Sequence, residues 1–176
     1  MSETYSIIVN GTENTYFYNE KVTVCADAEK DGQSFSYWQR SGEIVSYNAE
    51  YSFYVSGNAT LDAVYGKEIS STSILTMATP VLVDENRIAF FAERDIDSAY
   101  DIIETGIIMG TSPALTVKNA QYKATSTSSA NKGQFTVRKK NLSLGDTYYA
   151  CAYAICSDEN GNMITLYSNE VSYTVK

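Results

Sequence analysis

From Thr4 onward, short runs of apolar and β-branched residues alternate with polar ones at a period of two, and pairs of turn-forming residues punctuate them. Tyr5-Ser6-Ile7-Ile8-Val9 leads into Asn10-Gly11, and Tyr16 to Tyr18 and Val22-Thr23-Val24-Cys25-Ala26 follow. Asp31-Gly32 precedes Phe35-Ser36-Tyr37-Trp38, and Ser41-Gly42 precedes Ile44-Val45-Ser46. Tyr51 to Val55, a Gly57-Asn58 pair and Leu61 to Tyr65 complete the series. A two-residue hairpin needs positive φ, which Gly adopts freely and Asn and Asp tolerate, so each pair sits where a hairpin requires it. The pattern predicts short strands and no helix over residues 1–66.

The same grammar resumes after Pro80 with Val81 to Val83, Arg87 to Ala92, Ile102 to Met109, Tyr122 to Ser126, Gln134 to Arg138, Thr147 to Cys156 and Met163 to Val175. About seven strands in a segment of this size predict a β-sandwich. Asp95 to Asp101 reads as a loop. Residues 67–79 are rich in Ser and Thr and read as a connector, although Ile69, Ile74, Leu75 and Met77 are apolar enough for a strand or for packing between modules. The expected organisation is therefore an all-β chain with a small module over 1–66, a connector over 67–79 and a sandwich over 80–176. A unit as short as the first buries only about 60% of its unfolded surface, so docking on the second would stabilise it.

Composition supports strands and narrows the chemistry. Tyr occurs 15 times against 6 Phe and 1 Trp, which suits half-buried pleated surfaces. The net charge is −8; residues 1–66 hold 3 Lys or Arg against 9 Asp or Glu, and residues 67–176 hold 10 against 12. Such a surface repels nucleic acid. No stretch reaches the roughly 20 apolar residues of a membrane-spanning helix, and Met1-Ser2-Glu3-Thr4 lacks the basic and apolar regions of an export signal. The chain is then either cytosolic or a segment whose signal lies upstream.

No His is present, which excludes Ser-His and Cys-His nucleophile systems and the commonest metal ligand. Three Cys is an odd number, and Cys151 and Cys156 fall on opposite faces of one strand, too far apart to bridge. No glycine-rich phosphate loop occurs. Asp95, Asp97 and Asp101, with Glu93 and Glu104 nearby, form an acidic stretch that lacks the Gly and terminal Glu of a calcium loop, so a solvated loop is the simpler reading. Neither a catalytic residue, a cofactor nor a metal is expected.

Val22-Thr23-Val24-Cys25-Ala26, Phe35 three before Trp38, Gly42 followed by Val45-Ser46, Tyr51 two before Phe53, and Asn58 with Thr60-Leu61 and Ala63-Val64-Tyr65 resemble the divergent internalin B-type repeat of Gram-positive surface proteins over about 20–65. The resemblance implies a packing role for Phe35, Trp38, Phe53, Leu61 and Val64, and no catalytic residue. Over about 80–176, Gly106 to Pro113, Leu142, Gly145, Tyr148 to Ala154 and Tyr167 to Thr174 resemble bacterial fibronectin type III-like modules. In that pattern Tyr148, Ala150, Ala152 and Ala154 face inward, Tyr149, Cys151 and Tyr153 outward, and the Tyr148 hydroxyl bonds nearby backbone. Cys151 and Leu144 depart from the family's usual Arg and Pro.

Together the resemblances imply a non-enzymatic module pair of a secreted or surface-anchored bacterial protein, flanked by other domains and acting in adhesion or as a spacer. Its partner would be a host or cell-surface protein or a glycan. The alternative is a carbohydrate-binding accessory module of a larger extracellular enzyme. Tyr37, Tyr149 and Tyr153 are then the candidate ligand-facing aromatics, because a solvent-facing ring offers area at low entropic cost.

Overall fold

The structure is a computed structural model that describes residues 3–66 and 73–176; these contain strands and turns and no helix. The first unit comprises β1 (Thr4–Val9), β2 (Thr12–Phe17), β3 (Lys21–Cys25), β4 (Glu29–Lys30), β5 (Gln33–Arg40), β6 (Glu43–Ser46), β7 (Glu50–Tyr54) and β8 (Ala59–Tyr65). Three hairpins turn where the sequence places them, Asn10-Gly11, Asp31-Gly32 and Ser41-Gly42 all having positive φ, whereas Gly57-Asn58, expected to be a fourth, joins strands of different sheets and has no positive φ. A mixed sheet runs in the order β2-β1-β8-β5, with β4 and β6 each pairing β5, and β1 lies parallel to β8. The β3–β7 ribbon covers it. Alternation fixes the contact, since Val22 and Val24 are buried while Lys21, Thr23 and Cys25 are exposed.

Trp38, Ile7, Leu61, Phe53 and Val55 form the centre of this core. The Trp38 indole N–H donates to the Ala49 carbonyl at 2.8 Å, so the largest ring of the core is buried without an unpaired donor. Phe35 and Val64, expected in the core, are half-buried; Phe35 packs beside Trp38 and edge-on to Tyr65 at the sheet's margin.

The second unit comprises β9 (Ile74–Met77), β10 (Val81–Asp84), β11 (Arg87–Asp95), β12 (Asp101–Gly110), β13 (Tyr122–Thr125), β14 (Lys132–Lys140), β15 (Thr147–Ser157), β16 (Met163–Tyr167) and β17 (Val171–Thr174). It is a sandwich of two antiparallel sheets. In one, β11 pairs β14 on one side and both β9 and β10 on the other; in the other, the order is β13-β12-β15, with β16 and β17 both on the far edge of β15. Gly106 is required within β12: a Cβ there would lie 2.0 Å from the Ala124 carbonyl oxygen of β13.

Three expectations for the second unit are corrected. Residues 67–72 of the expected connector lie outside the described residues, but Ile74–Met77 is a strand that pairs with β11 and buries Leu75 and Met77 in the sandwich core. Pro80, expected to open the sandwich, instead interrupts its edge between β9 and β10, where the missing N–H costs no ladder bond. The run Met163–Val175 is also two strands rather than one. Ser168, Asn169 and Glu170 break it, and the Asn169 side chain reaches across to the other sheet, accepting from Met77 N at 2.9 Å and donating to its carbonyl at 3.0 Å.

Tyr148, Ala150, Ala152 and Ala154 face the sandwich core as the alternation requires. The Tyr148 hydroxyl accepts from the Ser143 N–H at 3.3 Å across the corner preceding β15. Tyr148→Phe is expected to cost about 1 kcal/mol, read as a lower midpoint in urea with unchanged slope.

Candidate functional site

Tyr149, Cys151 and Tyr153 point away from the sandwich core, yet that face is not open. Tyr149 is 3% and Tyr153 0% exposed, so neither offers a free ring face. The reason lies in what covers them. Tyr149 meets the first unit: its ring stands edge-on to Tyr54, centroids 5.4 Å apart, and its hydroxyl donates to the Asn19 side chain. The Tyr54 hydroxyl in turn accepts from Ser172 at 3.0 Å. Tyr153 belongs to the same cluster with Leu115, beside Val117 and Ala120 of the loop after β12, and its hydroxyl donates to Glu104 at 2.8 Å. Burial pushes the Tyr149 and Tyr153 hydroxyls up to about 12.

Tyr37 is half-buried, and its ring stands edge-on to Tyr47, which packs against the sandwich core. The three candidate tyrosines are thus not brought together as one surface. Tyr37 and Tyr149 mark two contacts between the units, and Tyr153 is enclosed within the second. Cys25 is exposed, while Cys151 and Cys156 are buried, burial pushing their thiols up to about 12 and about 11.

Where β5 and β6 meet β16 and the loop after β12, the junction is grooved. Two depressions of about 330 and 320 Å³ adjoin, sharing Glu43, Thr116 and Tyr167. Sites between structural units at this scale are where small ligands commonly bind. The floor carries Arg40, whose guanidinium lies 5.2 Å from the centre of the Phe53 ring, and Glu170, which is 5% exposed. At the rim, Lys118 approaches Glu43 across the units at 3.6 Å, an exposed pair of little energetic weight.

Glu170 and Tyr167 hold the loop that forms one wall. The Glu170 carboxylate accepts from Ala114 N at 3.1 Å and Leu115 N at 2.8 Å, and the Tyr167 hydroxyl accepts from Val117 N at 3.2 Å. Ala114 takes positive φ there, a conformation costly for a residue with a Cβ, and those bonds offset its cost. Sequence reasoning missed both Glu170 and Arg40. The available signal was three consecutive polar residues, Ser168-Asn169-Glu170, inside an expected strand.

Burial raises Glu170 from its ordinary 4.5 to about 7, against the opposing pull of the two N–H donors and Arg40. The unfolded chain therefore loses this proton at lower pH than the folded one. Stability is expected to fall by about 1 kcal/mol per pH unit between about 4.5 and 7 from this group, and to be level in its contribution above that. Urea melts across pH 4.5–8 read the slope, and Glu170→Gln should flatten it.

The acidic loop before β12 does not converge. Asp95 pairs with Lys132 at 2.9 Å and Glu104 with Lys123 at 3.0 Å, while Asp97 accepts from Ala99 N. Among the described residues no group of three or more His, Cys, Asp or Glu is placed to hold a metal ion.

No protein-family model matches this chain, and no curated protein matches it. A solved structure of a proposed carbohydrate binding protein from Bacteroides uniformis is similar over 89% of this chain and 99% of its own, at 11% identity and a TM-score of 0.45. The chain is all-β on its own strands, a small β module followed by a sandwich of two antiparallel sheets.

Proposed function

We propose that this chain is a non-enzymatic module pair of a secreted or surface-anchored bacterial protein, serving adhesion or holding a neighbouring domain away from the cell. The observation that supports it best is the junction. Tyr149, Tyr54, Asn19 and Ser172 join the units through part-buried aromatic and hydroxyl contacts, which is what a segment needs to present a surface in a fixed direction. The internalin B-type and fibronectin type III-like resemblances, both of surface modules, point the same way. Beads coated with the chain should adhere to epithelial cells, or small-angle scattering should show one compact body at every ionic strength. Failure of both rejects the reading.

Carbohydrate binding is the second reading, favoured by the junction groove. Ser41, Ser56, Thr116 and Thr165 line it together with Tyr167, a mixture of directional polar groups and apolar surface that suits a sugar. A glycan array left blank at millimolar ligand rejects it.

A further inference from the structure

We propose that the junction groove takes a carbohydrate bearing a carboxylate, with Arg40 as the residue that receives the acid. The inference rests on the carbohydrate reading and adds the ligand's charge. Four observations carry it.

First, position. Arg40 is the sole Arg among the three cationic residues of 1–66, in a chain of net charge −8, and it stands in the groove. Second, preorganisation. Its guanidinium is laid over the buried Phe53 ring, which limits its freedom and leaves a planar fork suited to a carboxylate. Third, shape. The two depressions, about 330 and 320 Å³, share Glu43, Thr116 and Tyr167, so they adjoin and together offer room for more than one sugar unit.

Fourth, charge balance around the acid. The titratable groups near Glu170 are Arg40, Glu43 and the Tyr51 hydroxyl from the first unit, and Tyr149, Cys151 and Tyr167 from its own sheet, with Lys118 at the rim. Glu170 holds its proton to about pH 7, so below neutrality the groove's formal charges are Arg40 and Lys118 against Glu43. An incoming carboxylate then meets a site of net positive charge on an otherwise acidic protein. Above neutrality Glu170 ionises while the ligand, already ionised, stays so, and the two repel.

The test is calorimetric titration of the full chain with trigalacturonate and sialyllactose against their neutral counterparts galactotriose and lactose. An acidic sugar should bind about tenfold more tightly than its neutral counterpart, and binding should weaken about tenfold between pH 5.5 and 8.5. Arg40→Gln should lose tenfold or more, and Glu170→Gln should bind without pH dependence. If Arg40→Gln does not fold, Arg40→Lys serves: it keeps the charge but cannot grip a carboxylate with two parallel N–H groups, and an intermediate weakening is expected. Equal binding of neutral and acidic sugars, or undiminished acidic binding by folded Arg40→Gln, overturns the inference and leaves the carbohydrate reading standing. If no sugar binds at millimolar concentration, the carbohydrate reading itself falls, and the inference with it.

Discussion

Replacing Trp38 by alanine is expected to cost about 3–5 kcal/mol, the largest effect of any single substitution in the first unit. Trp38 is fully buried among Ile7, Phe53 and Leu61, and its removal leaves a cavity walled by two sheets that cannot close on it. The Ala49 carbonyl also loses one of its two donors, keeping the Ala26 N–H. Domains of this size hold about 5–15 kcal/mol in total, and a unit this short sits at the lower end, so the variant's first unit should be largely unfolded at room temperature. Circular dichroism would show partial loss of strand signal with the sandwich retained. A variant melting within a degree or two of the parent would mean that Trp38 does not centre this core.

Tyr149→Ala is expected to cost a similar 3–5 kcal/mol, but through the junction. The substitution removes the ring that Tyr54 packs against and the hydroxyl that reaches Asn19, and it opens the outer face of β15 to water. The consequence should differ from that of Trp38→Ala in kind: both units keep their own cores, and calorimetry should resolve two transitions where the parent has one. Tyr149→Phe keeps the ring and removes only the hydrogen bond, about 1 kcal/mol, and should leave the single transition intact. Two transitions in the phenylalanine variant would assign the coupling to the hydroxyl alone.

Most strands are legible in the sequence because each is half-buried, and burial on one face writes a period of two into the residues. β3, with Val22 and Val24 inward, and β15, with Tyr148, Ala150, Ala152 and Ala154 inward, can be read directly. β4 cannot, because Glu29–Lys30 is a two-residue exposed pair without an apolar side. The split between β16 and β17 is hidden because the alternation resumes after the break, and what makes the break is a side chain, Asn169, bonding a strand remote in sequence.

The same logic explains the fate of the tyrosines. Alternation reports which face of a strand a residue takes, and Tyr149 and Tyr153 do leave the sandwich core. It carries no information about what lies over the other face, and here the first unit and the loop after β12 cover it. Arg40 and Glu170 belong to different units and meet only because those units dock, so no local pattern contains them.

The docking of the two units into one cooperative body is the central claim, and the chain carries its own reporters for it. Its single Trp lies in the core of the first unit and Cys156 in the sandwich core of the second, while Cys151 lies on the face that the first unit covers and Cys25 is exposed and labels at once in the native state. A urea titration following Trp38 fluorescence and the labelling of Cys156 in the same samples therefore reads each unit by its own core residue. Docked units predict coincident midpoints in the parent chain that separate in Tyr149→Ala. Midpoints already well apart in the parent, and unmoved by Tyr149→Ala, would contradict the account.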